Sequence, residues 1–202
     1  MDNIGAVITS FYNVARFPHV IGIVNGFVIK IDAPFVCGPT AIFYYLSAKW
    51  PGSVHDSRVL RNSSLYRTIK VENIFQNGVI LGDSAYPLRS WLMTLLHCEP
   101  ENPAERKYNA RLKTTWQIIE RALGILKEKF PCLNYLRLNP VHACEVVKCC
   151  TTLCNFGRSG AEEVFESDVE GMDWGVVIED EEEEPIPMAA RERQEQIVNS
   201  ML

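Results

Sequence analysis

The stretch 104–130 is the longest helical pattern in the chain. Trp116, Ile119, Leu123, Leu126 and Phe130 recur at spacings of three and four, which places them on one side of an α-helix as a core-facing stripe. Runs of different character accompany it. Residues 20–31 carry β-branched side chains throughout, 41–50 is apolar and aromatic, and Val79-Ile80-Leu81 leads into Gly82-Asp83-Ser84-Ala85-Tyr86-Pro87. These read as strands, so the fold class is α/β.

Local signals divide the rest. Asn25-Gly26 interrupts the first apolar run and leaves two readings open, one long central strand or a hairpin turning at that dipeptide. Pro51-Gly52-Ser53 ends the second run, and a helix is expected from His55 to about Tyr66, capped by Ser53 or Asp56. Residues 88–96 are expected to form a short helix carrying Trp91, and 140–156 a second long helix holding four cysteines. Cys150 and Cys154 share a face there with His142 two turns away. That spacing permits a zinc reading, against the commoner one of small buried thiols acting as hydrophobes.

At 202 residues and 47% hydrophobic content the chain can bury one substantial core. No uncharged run is long enough to span a bilayer and no secretory signal is evident, so no membrane is expected as a partner. Seven cysteines, odd in number and without a C-x-x-C pair, read as reduced thiols inside a cell. The net charge of −5 hides a split: up to Ala161 there are 18 Lys and Arg against 11 Asp and Glu, whereas 162–184 holds 12 acids and no base. A basic body suits a polyanion, and the acidic run, with Trp174 and Val176-Val177-Ile178 inside it, reads as a disordered tail with a partner-binding patch.

Two acids occupy positions from which chemistry is possible. Asp83 ends an apolar strand, where an acid can be presented at the lip of a sheet or can simply hold a turn. Glu120 lies at the border of the helical stripe beside Trp116 and Leu123, where it can face a cleft or pair on the surface with Lys113 or Lys127.

Four stretches then match one family together: Phe17-Pro18-His19-Val20-Ile21-Gly22, Ala48-Lys49-Trp50-Pro51-Gly52-Ser53-Val54-His55-Asp56-Ser57, Leu81-Gly82-Asp83-Ser84-Ala85-Tyr86-Pro87-Leu88, and Ile119-Glu120-Arg121-Ala122-Leu123-Gly124-Ile125-Leu126-Lys127. In their order and spacing they resemble the PIF/Harbinger transposase-derived nucleases, a branch of the DDE superfamily. The likeness covers residues 11–156 as a nuclease domain and leaves 157–202 as the acidic tail. It implies an RNase H-like mixed sheet flanked by helices, a DNA substrate, nuclear residence with a cytoplasmic pool also compatible, and a Myb-like protein as the supplier of DNA targeting.

The resemblance also implies a metal-dependent hydrolase. Phosphodiester cleavage adds charge to an anionic group, and Mg²⁺ or Mn²⁺ can offset it; such hard cations take carboxylate ligands. Carried over by position, the catalytic and metal-ligating residues fall on Asp56, Asp83 and Glu120. The chain departs from the family at the first acid, where Asn25 stands and Phe27-Val28 replace the usual Thr-His. Asp32 could substitute only through a shift of strand register that reverses the side-chain face. Between Pro34 and Ile42 the chain is too short for a strand the family carries, so one strand is expected to be lost. The expectations are an impaired endonuclease or, alternatively, a catalytically silent module that binds DNA through Arg106, Lys107, Arg111 and Lys113 or binds protein.

Overall fold

The computed structural model describes residues 4–28, 31–47, 50–51, 56–72, 77–96, 100, 102–159, 166–168 and 185–201. The sheet starts with three antiparallel strands, β1 (Val20–Val28), β2 (Ile31–Cys37) and β3 (Phe43–Ser47). On the other side of β1 lie β5 (Val79–Leu81) and then β6 (Leu92–Met93), both running parallel to it. The short β4 (Trp50–Pro51) pairs with β2, and β7 (Glu166–Asp168) runs parallel to β3, giving the order β6-β5-β1-β2-β3-β7.

Strand alternation divides the side chains between two layers. Ile23, Phe35, Leu46 and Leu81 face one core, and Val24, Val36, Tyr45 and Ile80 the other. The larger core is filled by α1 (Ile4–Ala15), α4 (Pro103–Lys129), α5 (Pro140–Ser159) and α6 (Met188–Asn199), through Phe11, Leu112, Ile119, Val147 and Ile197. The smaller one is closed by α2 (Asp56–Arg61) and α3 (Ser64–Glu72), through Leu60 and Ile69.

The long helix follows its pattern closely. Asn102 caps α4 by accepting from the Glu105 backbone N–H at 2.9 Å, its own amide donates to Glu105 Oε1 at 2.6 Å, and Pro103 occupies the first turn, where its missing N–H costs nothing. Ile119, Ala122, Leu123 and Leu126 are buried on its sheet-facing side. A one-turn 3-10 helix, η1 (Pro131–Asn134), reverses the chain toward α5. There the buried Asn155 accepts from the Phe43 N–H at 3.0 Å and donates to the Phe43 carbonyl at 2.8 Å, so its amide acts as a short piece of neighbouring strand for β3.

Several local expectations change. β1 runs unbroken through Asn25-Gly26, with Asn25 opposite Phe35 and Gly26 opposite Pro34, and the reversal comes only after the Val28–Asp32 pair. Six consecutive β1–β2 pairs outweigh the turn preference of one dipeptide. The helix expected over 55–66 is divided: Ser63 breaks it and its Oγ accepts from the Tyr66 N–H at 3.1 Å, capping a second helix. The interval from Pro34 to Ile42, in which a strand is expected to be missing, holds the end of β2 and a tight turn closed by Gly38 N–H to the Ile42 carbonyl at 2.9 Å.

The helix expected over 88–96 is not formed. Ile80 N–H donates to the Trp91 carbonyl at 2.7 Å and Gly82 N–H to the Met93 carbonyl at 3.0 Å, so this segment satisfies the backbone of β5 as a strand. The end of the chain differs too. Residues 188–199 form α6, and Ala190, Ile197, Val198 and Met201 are buried in the main core. Most of the acidic run, with Trp174 and Val176-Val177-Ile178, lies outside the described residues.

Candidate active site

The three carboxylates come from three elements. Asp83 follows β5 across Gly82, which is packed so closely that a Cβ would stand 3.1 Å from Tyr86 Cδ2 and 3.2 Å from Val24 Cγ1. Glycine therefore lets the chain leave the sheet here without pushing Val24 out of its core. Asp83 Oδ1 accepts the Ala85 N–H at 3.0 Å and its carbonyl accepts from the Tyr86 N–H at 3.3 Å, which shapes the turn. Burial raises the Asp83 pKa above the ordinary aspartate value, and the Ala85 N–H opposes that shift without cancelling it.

Ile23 pairs with Leu81 in the parallel ladder, and Asn25 and Asp83 each stand two residues further along their chains. Asp32 lies on β2 opposite Val28 and Trp50, so β1 keeps Asn25 at this position and no shift of register brings Asp32 to it.

Asp56 is the first residue of α2, and its side chain lies outside the described residues. Glu120 is solvent-exposed on α4, next to the buried Ile119. Among the described residues no three His, Cys, Asp or Glu side chains converge on a centre that could hold a cation. Cys150 and Cys154, the alternative zinc ligands, are buried in the main core, where desolvation pushes the Cys150 thiol up to about 12. Their burial among apolar side chains fits small thiols acting as hydrophobes.

For Mg²⁺ or Mn²⁺ the donor chemistry fits in part. Asp83 is a partly desolvated carboxylate whose charge a hard cation would compensate, while Asn25, two residues beyond the last β1–β5 pair, offers a neutral amide oxygen.

Of the four cations expected to touch phosphates, three donate to the protein's own backbone. Lys107 Nζ donates to the Met201 carbonyl at 3.2 Å and Arg111 to the Arg16 carbonyl at 3.1 Å. Arg106 approaches the Pro100 carbonyl at 3.5 Å, and Lys113 is exposed. The sequence reading missed Arg61, Arg89 and Arg191, which line a cavity next to the Asp83 turn. Arg191 was detectable through the helical spacing of Ala190, Ile197, Val198 and Met201; Arg61 and Arg89 carry no such signal. No helix among the described residues is long and apolar enough to cross a membrane.

Comparison with known proteins places these features. Residues 29–155, more than half of the chain, match the DDE superfamily endonuclease family, a span that includes Asp56, Asp83 and Glu120 and begins after Asn25. The human protein named "Putative nuclease HARBI1" is 31% identical over 192 residues, 84% of this chain and 54% of its own length. Its rat counterpart is 32% identical over 213 residues, 93% of this chain and 60% of its own. "Protein ALP1-like" of Arabidopsis thaliana is 29% identical over 111 residues, 49% of this chain and 27% of its own. The chain thus spans little more than half the length of the mammalian relatives, 54% and 60% for these two. No solved structure matches it at a significant level. The motifs, the mixed sheet and these matches agree: the chain belongs to the DDE superfamily endonucleases, in their Harbinger transposase-derived branch.

Proposed function

We propose that the chain keeps the outline of an RNase H-like, divalent-metal-dependent DNA endonuclease, and that its cleavage activity is impaired because Asn25 stands where the first acid is expected. The observation that carries this reading is the end of the β1–β5 ladder: Asn25 on β1 and Asp83 in the turn after β5 each lie two residues beyond its last pair, Ile23–Leu81. A three-stranded antiparallel meander, with two parallel strands added on the β1 side, supports the RNase H-like assignment.

In this reading Asp56, Asp83 and Glu120 hold Mg²⁺ or Mn²⁺. When bound, the ions supply an activated attacking water and charge stabilisation at the leaving oxygen. The chain's own contribution is the placement of charge. The Asx turn keeps Asp83 just past the end of β5 in a partly desolvated setting, where a carboxylate interacts more strongly with a cation than it would in open water. An amide at Asn25 accepts hydrogen bonds but brings no negative charge, so the site attracts cations less than a four-acid arrangement does.

The alternative is a catalytically silent DNA- or protein-binding module of transposase origin. The neutral Asn25 and the exposure of Glu120 favour it. The endonuclease reading and the DNA-binding form of the alternative both take DNA as a partner in the nucleus, with a Myb-like protein supplying targeting.

Nicking of supercoiled duplex DNA by the full chain in Mg²⁺ or Mn²⁺, with Asp83→Ala as control, tests the proposal. Little or no nicking is expected. Robust nicking abolished by the control would overturn the impairment.

A further inference from the structure

A cavity of about 860 Å³ opens between α2, the Asp83 turn and α6. Arg61, Ser84, Arg89 and Arg191 line it, along with the carboxylates Glu105 and Glu195. Ser84 and Ala85, which directly follow Asp83, form part of the wall, so the cavity is continuous with the turn that presents the carboxylate. Leu95, Leu96 and Val198 add apolar surface.

The arginines are not equivalent. Arg89 is buried and donates to the Leu88 carbonyl at 3.2 Å, whereas the Nε of Arg61 is buried with no hydrogen-bond partner. That nitrogen is sealed from the cavity and cannot itself receive a ligand; what Arg61 offers there is the positive charge of a guanidinium whose side chain lines the wall. Of the two carboxylates, Glu105 already accepts from Asn102.

We propose that this cavity is a nucleotide subsite, in which Arg61 and Arg191 hold a phosphate of the DNA strand adjoining the Asp83 turn and the apolar wall receives the attached sugar and base. The volume lies in the range of pockets that enclose a small molecule, and planar guanidinium groups suit phosphate better than point charges do. Arg191 belongs to α6, so the C-terminal helix supplies part of the substrate surface. The inference rests on the DNA-acting reading above, but it concerns Arg61 and Arg191 rather than the carboxylates.

The test is calorimetric titration of the full chain with thymidine 3′,5′-bisphosphate in EDTA. Saturable binding is expected, weakened about tenfold in Arg61→Ala and severalfold in Arg191→Glu, as the loss of charged hydrogen bonds implies. Arg191 is exposed, so its charge reversal keeps the test decisive even if Arg61→Ala fails to fold. Absence of saturable binding, or an affinity in Arg191→Glu equal to that of the unmodified chain, overturns the subsite. Because metal is chelated throughout, the outcome is independent of the nicking assay. Bisphosphate binding without a working metal site would remove the endonuclease reading alone, and metal-dependent nicking without bisphosphate binding would remove this subsite alone.

Discussion

Asn25 on β1 and Asp83 in the turn after β5 each lie two residues beyond Ile23–Leu81, the last pair of the parallel ladder. Where the resemblance implies an acid the chain thus carries an amide, while burial disfavours the charged form of Asp83. The relationship makes Asn25→Asp an informative substitution. In EDTA a second carboxylate at this end of the ladder should lower the melting temperature near neutral pH, because like charges in a partly desolvated place repel. In Mn²⁺ the sign should reverse, with ion affinity raised about tenfold as the ligand charge increases. Calorimetric Mn²⁺ titration and paired thermal melts check this, and an unchanged affinity would separate Asn25 from the metal site.

Asp83 by itself predicts a pH dependence. Its folded-state pKa is raised, chiefly by desolvation, so the folded chain holds this proton more tightly than the unfolded chain does. The stability linked to the group is thus fully present below the unfolded value of about 3.8 and declines as pH rises through the folded value. Asp83→Asn keeps an oxygen for the Ala85 N–H and removes the decline. Its melting temperature in EDTA should exceed that of the unmodified chain near neutral pH and converge with it under acid conditions. A difference that stays constant with pH would mean that titration of Asp83 is not the cause.

The stripe on α4 and the acid at the end of β5 were legible because periodicity and turn chemistry act over a few residues. Trp116, Ile119, Leu123 and Leu126 needed only their spacing. What could not be read depends on partners distant in sequence. Residues 88–96 look helical by themselves, yet the backbone of β5 needs acceptors at Trp91 and Met93 and makes an edge strand of them. Asn25-Gly26 carries a turn signal that the whole of β2 overrides. In α6 the stripe was present, but the acidic run before it dominated the composition of the tail. The site was legible only in its residue types: the motifs name Asp56, Asp83 and Glu120, whereas the Arg61 cavity depends on α2 and α6 lying near one turn.

Gly82 predicts a packing effect at the same turn. A methyl group there would meet Tyr86, Val24 and Leu92 at 3.1, 3.2 and 3.3 Å, all belonging to the smaller core. None of these distances forbids alanine outright, but three close contacts from separate elements leave little room to move in concert. Gly82→Ala should cost about 1–3 kcal/mol, the usual range for overpacking, and should shift the Asp83 turn. Denaturant melts give the first quantity. A change in the pH dependence described for Asp83 reports the second, since it requires a new environment for the carboxylate.

The strongest departure from a disordered tail is α6, and its removal should be severe. Ile197, Val198 and Met201 are buried against the main core, and Gln194 Nε2 donates to the Thr94 carbonyl at 3.0 Å and to the Tyr108 hydroxyl at 3.1 Å. The Tyr108 hydroxyl in turn donates to the Thr94 carbonyl at 2.9 Å, so α4, the segment after β6 and α6 meet at one buried polar junction. Burial of the three apolar side chains contributes roughly 4 kcal/mol or more, which rivals the whole stability margin of an ordinary domain. A chain ending at Ser159 should therefore unfold at much lower denaturant concentration or fail to stay in solution. Gln194→Ala should lose only about 1–2 kcal/mol, the effect of one removed partner at a junction that keeps its Tyr108–Thr94 bond. If truncation left the unfolding midpoint unchanged, the helix would be an ornament of the fold; a loss much larger than that of Gln194→Ala assigns its stabilising role to apolar burial and makes α6 an integral layer of the nuclease domain.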